Sequence, residues 1–124
     1  EKLRVTGSGN VLIGTTNDDG VSKLRVNGLI TAREVKVVAG PWPDDVFAAD
    51  YQLRSLTDVR KHIAEHRHLP DVPSAKEIEA NGMAVAEMAT IHMRKIEELT
   101  LYVLALEERL DRQQQTLNSI SQAK

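Results

Sequence analysis

The residues that first suggest chemistry are two glycines near the N-terminus, in "GSGNVLIGTT". Gly9 and Gly14 are five apart and two threonines follow, which approximates the phosphate-binding pattern G-x-x-x-x-G-K-[ST]. Such a site needs its lysine for the phosphate charge and a helix that starts at the Ser or Thr. Here Thr15 replaces the lysine, and the "NDDG" that follows favours a turn. We therefore predict that these glycines bound short strands and bind no nucleotide.

Three histidines have the spacing of a metal site. His62, His66 and His68 form the pattern H-x-x-x-H-x-H, in which the first two are one helical turn apart. Imidazoles at this spacing could share a zinc ion. Nothing evident in the neighbouring sequence would orient the imidazoles as metal sites require, and the segment is rich in charged residues. Surface or capping roles explain these histidines better, so we predict no metal and no other cofactor.

Carboxylates and serines are the remaining groups that could carry catalysis. Five aspartates fall in two small groups: Asp18, Asp19, Asp44, Asp45 and Asp50. Paired carboxylates can serve acid–base catalysis or bind calcium, but turn and cap roles explain all five. Ser55 and Ser74 each stand three residues before an acidic residue, which is the pattern of a helix cap. No nucleophile has a base beside it, and we predict no catalytic residue and no enzyme activity.

Composition limits the classes of protein that these residues could belong to. The 124 residues are 41% hydrophobic and 27% charged, contain no cysteine and carry a net charge of −2. This charge offers no basic surface for nucleic acid, and no apolar run is long enough for membrane insertion. Aromatic residues make up only 3% of the chain, which favours an elongated molecule that buries its surface against partner chains. The chain starts at Glu rather than Met, so we expect a fragment of a longer protein.

The first segment, residues 1–39, has the pattern of short β-strands. "KLRVTG" and "KLRVNG" repeat with a period of 21 residues, and "NVLIG" between them places Val11 and Ile13 on one face. Asn27-Gly28 is a strong hairpin dipeptide. "LITAREVKV" then predicts a longer strand with a bulge near Ala32. Three short strands make little sheet alone, so we expect them to pair between chains.

The middle segment, residues 40–82, combines clustered aromatics with two short helices. Trp42, Phe47 and Tyr51 lie within ten residues. Their predicted role is a small local core, and the alternative is a stacking platform that contacts a receptor. The cap patterns predict one helix from Ser55 to about His66, and a second that opens at Ser74 and ends at Asn81-Gly82.

The last segment, residues 83–124, is predicted to be one long helix with a coiled-coil pattern. Heptads fit from Ile96, and seven of the eight core positions are apolar. Positions a and d are occupied by Ile96, Leu99, Val103, Leu106, Leu110, Gln113, Leu117 and Ile120. Leu101 and Leu104 lie off this seam, so the apolar stripe is wider than a dimer needs. The extra width indicates either three strands or packing of the helix against the middle segment.

Nearly the whole chain resembles the C-terminal region of phage-tail-fibre-like surface proteins. The most specific pieces are "HLPDVPSAKEI" and "KIEELTLYV"; the strand repeats are shared more loosely among fibres. The resemblance implies a homotrimer with intertwined β-strands, a small compact middle and a closing parallel three-helix coiled coil. It also implies an extracellular location on a cell surface or virion fibre. The ending also resembles the intramolecular chaperone domains of tail spikes, many of which cleave themselves off. Their Ser-Asp-(x)n-Lys cleavage pattern is absent here, since Asp50 stands before "YQLRSL" with no serine.

These observations predict a mixed α+β chain that forms an elongated homotrimer. Its predicted function is a non-catalytic trimerising C-terminal module of a fibre, at or near the tip that contacts a receptor. Two alternatives stay open at this stage: a tip domain that binds a glycan or protein receptor, and a self-cleaving intramolecular chaperone peptidase.

Overall fold

A computed structural model describes residues 2–38 and 40–124 of the chain. Glu1 and Ala39, the two ends of the predicted first segment, lie outside the described residues. The chain divides into two compact units, residues 1–36 and 37–124. The first contains a small sheet and the second contains the helices, so the predicted mixed α+β class is confirmed. The predicted middle segment and the long helix belong to one unit.

The first unit is a sheet of three short strands: β1 (Leu3–Val5), β2 (Val11–Ile13) and β3 (Leu24–Val26). β2 is central, antiparallel to β1 and parallel to β3. All three strands therefore pair within one chain, whereas the sequence had predicted pairing between chains. Each strand is three residues long, and the sheet forms because the central strand β2 makes hydrogen bonds on both of its sides.

The buried side chain of the central strand is Leu12, which is only 1% exposed. Val11 and Ile13 share the opposite face of β2, where Val11 is half-buried and Ile13 is exposed. Asn10 is as buried as Leu12 and fully paired: its amide nitrogen donates to Asp18 at 3.0 Å, and its carbonyl oxygen accepts from Lys23 at 2.9 Å. A buried side-chain amide needs such partners, because leaving a buried donor or acceptor unpaired lowers stability by about 1 to 3 kcal/mol.

Two predicted β features are absent from the described residues. Asn27-Gly28 makes no hairpin, because the strand before it pairs in parallel with β2 and the chain does not turn back. Residues 29–37 form no strand, so the predicted long strand and its bulge are wrong for this chain. The segment has good alternation but no neighbouring strand to accept its backbone hydrogen bonds, and Leu29 and Val35 are 93% and 73% exposed.

Three helices make up the second unit, and each was predicted: α1 (Leu56–His66), α2 (Ala75–Asn81) and α3 (Val85–Gln122). Ser55 caps α1 by accepting the N–H of Asp58 at 3.0 Å. Ser74 and Glu77 form a reciprocal capping box at α2. These caps satisfy backbone donors that a helix start leaves unpaired. α1 ends where Arg67 adopts a left-handed conformation, with φ at 63°.

Candidate oligomerisation interface

The long helix α3 carries two apolar or mixed stripes that lie side by side. The first stripe contacts the chain's own middle segment and consists of heptad positions c and g: Met88, Ile91, Lys95, Glu98 and Tyr102. Every member is buried or half-buried. Met88 is 8% exposed and lines a cleft with Ile78 of α2 and Pro73 before it. The first five turns or so of α3, as far as Tyr102, are thus covered on this side by residues of the same chain.

A network of polar contacts fixes the middle segment to this covered stripe. Lys95 Nζ donates to Glu98 Oε2 at 2.8 Å and lies 3.3 Å from Asp71 Oδ2. Asp71 also accepts from Arg54 at 2.9 Å. The side chains of Lys95 and Glu98 are only 12% and 13% exposed, so solvent screens their ion pair less than it screens surface pairs. Burial alone would raise the pKa of Asp71, but hydrogen bonds from Arg54 and Lys95 lower it.

Two tyrosines complete the attachment. The Tyr102 hydroxyl donates to the backbone carbonyl of Arg54 at 2.7 Å. The Tyr51 hydroxyl donates to Glu98 Oε1, and burial together with this carboxylate raises the pKa of Tyr51 to about 12. Both hydroxyls bind across more than 40 residues of sequence, and such long-range bonds fix the position of the middle segment on α3.

The second stripe is the heptad seam, and none of the residues that the structure describes covers it. Each apolar residue at a and d is between 46% and 65% exposed: Ile96, Leu99, Val103, Leu106, Leu110, Leu117 and Ile120. Gln113, at d, is exposed as well. The chain thus covers one side of α3 and leaves the adjacent side, on which seven of the eight core positions are apolar, open to solvent. A continuous exposed apolar patch of this kind marks an interaction surface.

The C-terminal half of α3 has no tertiary support within the described chain. All residues from 103 to 124 are exposed. The 38-residue helix extends for about 57 Å at 1.5 Å per residue. Isolated helices are marginal in water, and most helical stability in proteins comes from packing of an apolar face. A seam that continues to Ile120 supplies that face for partner helices.

The aromatic residues proposed for receptor contact do not form one group. Trp42 and Phe47 are 49% and 60% exposed, so the predicted local core is wrong for these two rings. Between these two rings in the sequence, Val46 is buried, at 2% exposure. Tyr51 is half-buried and is engaged with Glu98. Among the described residues, no ring contact joins the three aromatics.

The three histidines are brought together at the end of α1. The ring centroid of His62 lies 4.4 Å from that of His66 and 5.3 Å from that of His68. His62 Nε2 is buried and has no hydrogen-bond partner, and burial followed by the neighbouring imidazoles lowers the pKa of His62. His68 Nδ1 instead lies 2.9 Å from the Leu69 carbonyl oxygen. Within residues 2–38 and 40–124, no three His, Asp or Glu side chains are arranged to hold a metal ion.

The glycines that resembled a phosphate site serve the strand turns. Gly9 and Gly14 have φ angles of 79° and 67°, a region that disfavours other residues. A side chain at Gly14 would also lie 3.1 Å from the Asn27 carbonyl oxygen. No helix follows Thr15 and Thr16; Asp18 and Asp19 instead accept backbone N–H groups of the next turn. The geometry therefore agrees with the strand-boundary interpretation.

The polar network was not predicted from sequence. Its members come from three separate stretches, and no local pattern links Arg54 or Asp71 to the long helix. One signal was present: Met88, Ile91 and Tyr102 extend the apolar stripe of α3 at helical spacing on one side of the seam.

Comparison with known proteins gives no relative for this chain. No family model matches it, and neither a curated protein nor a solved structure is significantly similar. No helix in the described part of the chain is both long and apolar enough to cross a membrane.

Proposed function

We propose that this chain is a non-catalytic trimerising module at the C-terminal end of a surface or virion fibre. One observation carries the proposal: the chain covers the c and g side of α3 with its own residues and leaves the a and d seam exposed over its full length. A parallel coiled coil buries that seam and needs no change in the covered side.

The residues at a and d do not alone decide the number of chains. Ile96 and Val103 at a, with leucine at d, are typical of dimers, whereas Leu117 at a with Ile120 at d favours three or four strands. Two further residues beside the seam favour three. Met93 and Leu104, at positions e and b, are 39% and 49% exposed, and a dimer seam would leave them uncovered. The fibre resemblance points to the same number.

Light scattering of the purified chain at micromolar concentration tests the proposal directly. The expected mass is three times the chain mass of 13.8 kDa. A mass of one chain would contradict self-association. A mass of two chains would retain the seam as an interface and contradict the threefold assembly. The measurement should be repeated at several concentrations, because an assembly held by this seam dissociates on dilution.

The exposure of Trp42 and Phe47 supports a second function, contact with a host-surface glycan or protein. Large exposed aromatic side chains are frequent anchors at binding sites. Binding to glycan arrays or to cells should then fall in Trp42→Ala. Val21→Ala is a matched control, since Val21 is also exposed, at 83%, and lies in the other unit. Equal binding by both variants would contradict a receptor role for Trp42.

A further inference from the structure

A small apolar cavity lies at the edge of the exposed seam. It has a volume of about 110 Å³, enough for one aliphatic side chain. Leu56 and Val59 of α1, Leu69 after it, and Leu99 and Tyr102 of α3 form most of its wall. Leu99 belongs to the seam at position d, and Tyr102 adjoins it at g. The cavity is therefore continuous with the surface that the proposed coiled coil would bury.

Three leucines near this cavity or beside the seam are exposed, and within the described residues of a single chain none of them has a packing partner that would bury it. Leu56 and Leu69 are 45% and 43% exposed, although both are large apolar residues beside a cavity. Leu104 is 49% exposed at position b, on the opposite side of the seam from the covered stripe. None of the three leucines lies at an a or d position, so burial of the heptad seam alone would not cover them.

We propose that Leu104 of a neighbouring copy occupies this cavity, so that the middle segment of each chain packs against the long helix of the next. The inference rests on the proposed trimer. In a parallel coiled coil, the c and g side of one helix faces the e and b side of its neighbour. The cavity is on the c and g side, and Leu104 is on the e and b side.

The axial position agrees with this pairing. In an in-register parallel assembly, Leu104 lies two residues beyond the level of Tyr102 and five beyond that of Leu99, which is about 3 and about 7.5 Å along the axis at 1.5 Å per residue. An antiparallel assembly would not place Leu104 beside Leu99 and Tyr102.

Because the chain contains no cysteine, introduced thiols can test the contact without background. A chain with Leu56→Cys and a second chain with Leu104→Cys and a longer tag are unfolded together, refolded and treated with a short bis-maleimide. A cross-linked pair of unequal chains is expected. Ala105→Cys is the matched control: Ala105 is also exposed but lies at position c, on the other side of the helix.

The outcomes separate the two proposals. A hetero-pair that forms at least tenfold more with Leu104→Cys than with Ala105→Cys would support the contact. A trimer by light scattering that gives no such pair, or gives it equally with both variants, would overturn the contact and leave the trimer standing. A single-chain mass would overturn both. As a second measurement, Leu104→Ala should lower the thermal midpoint of the trimer by several degrees, and an unchanged midpoint would also contradict the contact.

Discussion

Truncation of Leu110 should change the stability of a single chain very little and that of an assembly a great deal. Leu110 is 65% exposed and lies in the part of α3, residues 103–122, in which every residue is exposed. In a monomer, Leu110→Ala changes a surface residue on a helix. Surface changes usually stay within about 0.5 kcal/mol, and alanine favours a helix slightly more than leucine does. A monomer should therefore be almost unaffected.

In a trimer the same change removes three leucines from one core layer. A buried Leu→Ala substitution costs about 2 to 5 kcal/mol, so three copies cost about 6 to 15 kcal/mol per trimer. Since about 1.4 kcal/mol corresponds to a tenfold change in equilibrium constant, the smaller figure already weakens assembly about 10⁴-fold. The variant should dissociate at concentrations at which the parent chain is assembled.

The assay is thermal unfolding followed by circular dichroism at several chain concentrations, with sedimentation equilibrium in parallel. Gln115→Ala is the matched control, because Gln115 is also exposed on the same stretch but lies at position f, which faces away from a coiled-coil core. The parent chain and the control should show a thermal midpoint that rises with concentration. If Leu110→Ala behaves as Gln115→Ala does, the assigned seam is wrong.

Three further predictions concern the second unit by itself. Tyr51→Phe should lower the free energy of unfolding by about 1 to 3 kcal/mol, because it removes a hydrogen bond to a charged acceptor. Since folding raises the pKa of Tyr51 to about 12, the parent chain should lose stability as pH rises from 10 to 12. The variant should lose less over the same range, as measured by denaturant unfolding. Ser55→Ala and Ser74→Ala should each cost about 1 kcal/mol of unfolding free energy and leave the mass of the chain unchanged in mass spectrometry. The lowered pKa of His62 favours its neutral form in the folded state, so the parent chain should lose stability as pH falls below 6.5. His62→Gln should lose less stability over this range, which thermal melts between pH 7.5 and 5 would measure.

The helices were predictable because their signals are local. Ser55 and Ser74 stand at helix starts with an acidic residue three positions on, and both caps are present. The α3 boundaries follow from a sustained heptad and from Gly82, which ends α2 with a positive φ. Short-range geometry determines these features, and a single sequence contains all of it.

The sheet was predicted only in part because pairing is not local. The segments "KLRVTG", "NVLIG" and "KLRVNG" were correctly predicted to contain strands. The alternation of apolar and polar residues within a strand does not indicate which other strand pairs with it. The same limit explains the error over residues 29–37, whose alternation is good and whose backbone has no strand beside it. The aromatic cluster failed for a related reason: proximity along the chain does not bury a ring, and Val46 is buried in place of Trp42 and Phe47.

The attachment of the middle segment explains why the seam has room for partners. Tyr51, Arg54 and Asp71 all contact α3 from one side, through Glu98, Lys95 and Tyr102. A segment of this size could have folded over the large apolar residues of α3 and satisfied them within one chain. Its polar contacts hold it instead at positions c and g, about a quarter turn from the seam. The same residues that stabilise the single chain therefore keep its most apolar helix face open, which is the arrangement that assembly through α3 requires.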